Sequence, residues 1–91
     1  SKVILKGYII VSSDDLNTVK RELITHLSLC KKENGCLVFE ANQEQNSLKF
    51  NFYEKFLNRK ALSKHKNRVQ ISTWLKVTIN TDRHFEIKDT D

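Results

Sequence analysis

FNFYEKFLNRKALSKH, residues 50–65, is the stretch on which the fold turns. Side chains alternate across a strand, so Phe50, Phe52 and Phe56 fall on one face, and Glu54 falls in the same row. Asn51, Tyr53 and Lys55 take the other face. Asn58 then offers an N-cap, and a helix begins at Arg59 on which Ala61, Leu62, His65 and Val69 share a side. The apolar members of that side must meet the sheet. The last strand residues after Glu54 carry the chain ~10 Å outward, and the helix brings it back by ~10 Å. His65 is therefore expected at the level of Glu54, between sheet and helix.

The segments on either side complete a pattern. VILKGYIIV (residues 3–11) is β-branched and apolar and predicts a first strand. Ser12 and Ser13 offer an N-cap, with Asp14 and Asp15 in the first helical turn, where acids suit the dipole. Leu16, Val19, Leu23, Leu27 and Cys30 repeat at helical spacing and predict a helix to about Lys31. Asn34-Gly35 ends it. A second strand is expected over 36–44, with Leu37, Phe39 and Ala41 on one face, and a third over 48–57. Ile71, Trp74, Leu75 and Thr78 predict a further helical piece over 71–77, and DRHFEIK (82–88) the last strand. The order β-α-β-β-α-β predicts an α+β, ferredoxin-like domain: one antiparallel sheet with its helices on one face. Strands one and four read as apolar also on the face away from the helices (Ile4, Tyr8 and Ile10). A second copy of the sheet would cover that face, giving a homodimer.

The chain has 91 residues, enough for one domain spanning 1–91, with 38% hydrophobic and 30% charged residues. No apolar run reaches membrane-spanning length and no signal-peptide pattern opens the sequence, so a soluble, cytoplasmic protein with no membrane partner is expected. Cys30 and Cys36 read as free, reduced, small hydrophobes. The net charge of +5 is dispersed, and its densest cluster, residues 59–68, reads as a solvated helix face.

A pocket follows from these placements. Phe50, Phe52 and Trp74 would supply aromatic walls, Gly7 a gap on the first strand, and Glu54 and His65 an acid beside an imidazole. His26 lies on the first helix beside Leu23 and Leu27 and reads as an ordinary histidine at the edge of the core. His84, opposite in parity to Phe85 and Ile87, belongs to a surface or interface. The histidines show no short metal-ligand spacing, so no metal is expected. The plainer alternative stays open here: a Glu–His hydrogen bond that only fastens helix to sheet.

ILKGYIIV, THLSLCKKENGCLVFE, FNFYEKFLNRKALSKH and STWLKVTINTDRHFEI together resemble the antibiotic biosynthesis monooxygenase (ABM) domain family over nearly the whole chain. Several members carry proline before the glycine that corresponds to Gly35, where this chain has Asn34. The resemblance implies a dimeric α/β-barrel of ferredoxin-like protomers. It also implies cofactor-independent monooxygenation of a small electron-rich aromatic, a quinol or polyketide-like anthrone, by dioxygen. His65 would be base or donor, Glu54 would set its tautomer, and Gly7, His26, Phe50, Phe52 and Trp74 would bind substrate. Other relatives degrade haem with an asparagine on the first strand; no asparagine lies between Val3 and Val11. Two further classes compete: a non-catalytic dimeric ligand-binding or stress-related protein, and an RNA-recognition module. RNA modules show third-strand aromatics on the open sheet face. Parity turns Phe50, Phe52 and Phe56 away from it, so no nucleic-acid partner is expected.

Overall fold

The computed structural model describes residues 1–90. Its elements are β1 (Lys2–Ile10), α1 (Leu16–Lys31), β2 (Cys36–Gln43), β3 (Lys49–Phe56), α2 (Arg59–Gln70), α3 (Thr73–Val77) and β4 (Asp82–Thr90). All strand pairs are antiparallel, and the sheet order is β2-β3-β1-β4. This is the expected ferredoxin-like α+β plan, with α3 a short addition after α2.

Alternation on β3 is complete: Phe50, Phe52, Glu54 and Phe56 are buried, and the residues between them half-buried. Opposite them on β1 stand Ile9, Gly7, Leu5 and Val3. Phe56, Val3, Ala61 and Leu62 form one apolar cluster under α2. Phe50, Phe52, Phe39, Ile9, Val19, Leu23, Cys30 and Trp74 form part of the larger one under α1 and α3. The helices lie over β2, β3 and β1 and leave the inner face of β4 largely open. Ile87 is accordingly 38% exposed.

Local chemistry sets the helix ends. Asn58 caps α2 by accepting from the Ala61 amide at 2.9 Å, and Ser72 caps α3 by accepting from Leu75 at 3.3 Å. α1 starts later than expected. Ser12 Oγ instead accepts from the Asp15 amide at 3.2 Å, closing a turn before the helix. Asp15 is the N-cap without a side-chain bond, and no acid lies in the first turn. Gly35 follows α1 with φ +89°, a conformation L-residues avoid. Its carbonyl accepts from Leu57 N at 2.8 Å, which ties the α1–β2 turn to the end of β3.

Three other expectations are corrected. Leu37 does not join Phe39 and Ala41 on the inner face. A bulge between Cys36 and Val38 makes it the extra residue, and it is 47% exposed. Ile71 precedes α3 and is 83% exposed, so it shares no buried face with Trp74. On β4 the apolar residues Phe85 and Ile87 face the helix side, opposite Gly7 and Leu5. The outer face of that strand carries His84, Glu86 and Lys88. The outer apolar surface therefore belongs to β1, where Ile4 and Tyr8 are half-buried and Ile10 is 39% exposed.

Candidate functional site

Glu54 and His65 do meet, as the return of α2 over β3 requires. Their Oε1 and Nε2 atoms lie 3.4 Å apart, both side chains buried. That approach lacks hydrogen-bond geometry, and Glu54 Oε1 is left without a hydrogen-bond partner among the described residues. The carboxylate that holds the imidazole is a different one: Glu33 Oε1, 2.8 Å from His65 Nδ1. Glu33 is just past α1, in the turn that Gly35 shapes. Its other oxygen accepts from Arg68 Nε. Arg68 lies on the same helix as His65, and its Nη2 reaches Cys30 Sγ at 3.1 Å. The end of α1 is thus clamped to α2 by Glu33.

A carboxylate at Nδ1 fixes the tautomer. Nδ1 carries the proton and donates it to Glu33, so Nε2 presents a lone pair toward Glu54. Burial holds the His65 imidazole below its ordinary pKa, with Glu33 pulling the other way. Burial also pushes Glu54 up to about 8, partly offset by Arg83 and reinforced by Glu33. At neutral pH, then, a neutral acid faces a neutral imidazole. His26 is driven down to about 3, by burial first and then by its coupling to His65 and by the Arg68 and Arg83 charges.

The two groups stand at the inner end of a cavity of about 480 Å³. Leu5, Phe52, Trp74 and Phe85 form much of its apolar lining, with His26, Lys66 and Arg83 as further polar groups. His26 stacks flat on Trp74, centroids 4.6 Å apart and planes 10° apart. It is 3% exposed, more deeply set than a boundary residue.

Phe50 and Gly7 fall outside this wall. Phe50 is 1% exposed and packs in the core behind the cavity. The space over Gly7 is already taken. A Cβ there would lie 2.0 Å from the His84 carbonyl oxygen and 2.7 Å from Phe85 Cγ, so the glycine admits β4 and the Phe85 ring. Gly7 lines instead a hollow with Lys6, Tyr8, Asn51 and His84. His84 is exposed there and stacks on Tyr8 at 4.7 Å.

Three further residues, Glu33, Arg68 and Arg83, belong to this site although the sequence reading assigns them no part in it. Glu33 and Arg68 sit in charged runs that read as solvent-facing. Arg83 does leave a signal: it shares parity with Phe85 and Ile87, and so faces the cavity.

Cys30, Glu33 and His65 bring ligand-type atoms within 4.8 Å of one another, which spacing along the sequence does not suggest. The fixed cation among them is Arg68, which donates to both Cys30 and Glu33. Burial raises the Cys30 thiol to about 12, against the deprotonation that metal binding needs. The cluster fits an arginine clamp. Both cysteines are free thiols.

Among the described residues, no helix is long and apolar enough to cross a membrane. No family model and no curated protein matches the sequence. Solved structures do match. A protein from Nitrosomonas europaea, provisionally named an antibiotic biosynthesis monooxygenase, superposes with TM-score 0.85 at 20% identity, covering 98% of this chain and 89% of its own. One from Deinococcus radiodurans, named in the same provisional way, gives 0.81 at 20% identity, covering 98% and 92%. A conserved protein of unknown function from Bacteroides thetaiotaomicron, described as a possible oxidoreductase, gives 0.83 at 14% identity, covering 97% and 96%. The chain thus has, over nearly its full length, the ferredoxin-like fold of proteins named for ABM-type monooxygenation.

Proposed function

We propose that the cavity binds a small electron-rich hydroxyaromatic, of quinol or anthrone type, and that the protein oxygenates it with dioxygen, without metal or flavin. The observation that carries this reading is the pair of groups at the cavity's inner end. His65 offers a free Nε2 lone pair with its other nitrogen anchored by Glu33, and Glu54 is a neutral acid 3.4 Å away.

In this mechanism His65 Nε2 takes the proton of the bound substrate, and Glu33 stabilises the imidazolium that forms. The substrate anion gives one electron to dioxygen. The resulting carbon radical and superoxide join through a C–O bond as a peroxide. Loss of the remaining hydrogen from that carbon as a proton, with cleavage of the O–O bond, leaves a carbonyl. The departing oxygen leaves as water, with Glu54 as the proton donor. An anthrone CH₂ and one O₂ thus become C=O and H₂O. Phe52, Phe85 and Trp74 keep water from the anion and its radical.

Glu33 takes the orienting part that the sequence reading gives to Glu54, and Glu54 becomes the acid. The same reading pairs two copies through the outer face of β1, at Ile4, Tyr8 and Ile10.

The test is oxygen uptake with a hydroquinone or an anthrone. Wild type should consume one O₂ per substrate, and His65→Ala should lose the rate while remaining folded. A folded His65→Ala with the wild-type rate would remove His65 from the chemistry. A wild type that binds these aromatics without consuming oxygen would make the protein a ligand carrier.

A further inference from the structure

We infer that the cavity selects an aromatic ligand carrying an anionic group, a carboxylate in the simplest case, and that Arg83 receives it. This rests on the cavity being the ligand site proposed above, and it adds the class of ligand.

Arg83 lies on the inner side of β4, in register with Ile9 of β1, and lines the cavity. Its guanidinium carbon is 5.4 Å from the Phe85 ring centroid, so the side chain leans along the strand over the aromatic wall. Among the described residues no carboxylate lies within ion-pair distance of it. Arg59 and Arg68 show what this chain does with an arginine that has a structural partner: Arg59 makes a two-point contact with Asp89, and Arg68 with Glu33 and Cys30. Arg83 keeps its planar set of donors unused at an open mouth, where a carboxylate fits two-point recognition.

The rest of the lining agrees. Lys66 is a second cation, and among the described residues Glu54 is the only carboxylic acid of the wall. Glu54 is 4% exposed, and its Oε1 has no hydrogen-bond partner among the described residues. An aromatic ligand spanning the cavity would set its anionic group at Arg83 and a hydroxyl against Glu54 and His65. The open inner face of β4 gives a charged group access to the arginine without full dehydration.

Titration calorimetry with 2-naphthoate and 2-naphthamide tests this, since the two share shape and differ in one charge. Wild type should bind the naphthoate on the order of tenfold or more tighter, as a charge-assisted contact allows. Arg83→Gln should bring the two within about twofold while leaving naphthamide affinity as it was, and Lys66→Gln should keep the preference. Arg83 is exposed, so its replacement leaves the core intact. Equal binding of both probes by wild type overturns the inference and leaves the cavity as the ligand site. Preference that survives Arg83→Gln, or is lost in Lys66→Gln instead, overturns it as well. Binding of neither probe would overturn both this inference and the proposed site.

Discussion

Replacing Glu54 by glutamine should make the protein more stable, and more so as the pH rises. The carboxyl is 4% exposed and its pKa is pushed up to about 8 from an ordinary 4.5, chiefly by burial. Between those values the folded protein holds a proton that the unfolded chain releases, so stability falls with rising pH across that window. One proton is worth about 1.36 kcal/mol for each pH unit crossed, so the cost is on the order of 3 kcal/mol at pH 6.5 and 4–5 kcal/mol at pH 8.5. That is a large share of the ~5–15 kcal/mol that holds a domain folded.

His26 works in the opposite sense. Its folded pKa is about 3 against an ordinary 6.5, so the unfolded chain binds the extra proton between those values and stability falls as pH falls. The two slopes cancel between pH 4.5 and 6.5, and His65, also lowered, adds to the loss on the acid side. Wild type should therefore be most stable near pH 6.5 and lose about 2 kcal/mol by pH 8.5. Glutamine keeps the shape of the side chain and cannot ionise. Urea and thermal melts at pH 5.5, 6.5 and 8.5 measure the effect, with a rise of about 10–20 °C in Tm expected at pH 6.5. Parallel pH profiles for the two proteins would refute the reasoning. A Glu54→Gln protein less stable than wild type at pH 8.5 would show instead that Glu54 is an anion held by its neighbours.

Glu33→Gln should lower the imidazole pKa of His65 further, since the Glu33 carboxylate is what raises it; NMR titration of the ring reads this directly. Gly7→Ala should cost more than ~3 kcal/mol, because its Cβ would lie 2.0 Å from the His84 carbonyl and force β1 from β4; a denaturant melt checks it. Sedimentation at micromolar concentration should give a dimer, and Tyr8→Glu, on the outer face, should shift it toward monomer.

The fold is legible in the sequence where periodicity and topology agree. Two-residue alternation on β3 puts Glu54 among the phenylalanines, and the rise of strand and helix returns His65 to its level. Leu37 escapes because a bulge adds a residue without a compositional mark, and every parity count on that strand before it is offset. Gly7 does mark a place where space is needed, but what fills that space is Phe85, a neighbour fixed only once β1 and β4 are in register. Glu33 is hidden for another reason. In KKENG it has the surroundings of a surface turn, and only the docking of α2 brings His65 and Arg68 onto it.

What separates a working site from a mere fastener is the cost that Glu54 imposes. A buried carboxyl whose Oε1 makes no hydrogen bond among the described residues costs the fold desolvation that nothing at Oε1 offsets, and an apolar side chain of similar size would continue the row of Phe52 and Phe56. Fastening α2 to the rest of the fold is already done by Glu33, which binds His65 and Arg68 together. His65 therefore does not need Glu54 to be held in place, and Glu54 does not gain from His65 the hydrogen bond that would offset its burial. On the proposed reading, a side chain that opposes stability, at the inner end of an aromatic cavity and beside an imidazole with a free lone pair, is where local sequence rules give way to chemistry. If the proposed oxygenation holds, the stability gained by Glu54→Gln and the oxygen uptake lost with His65→Ala are two readings of the same arrangement: one measures what the neutral acid costs the fold, and the other what the site returns for it.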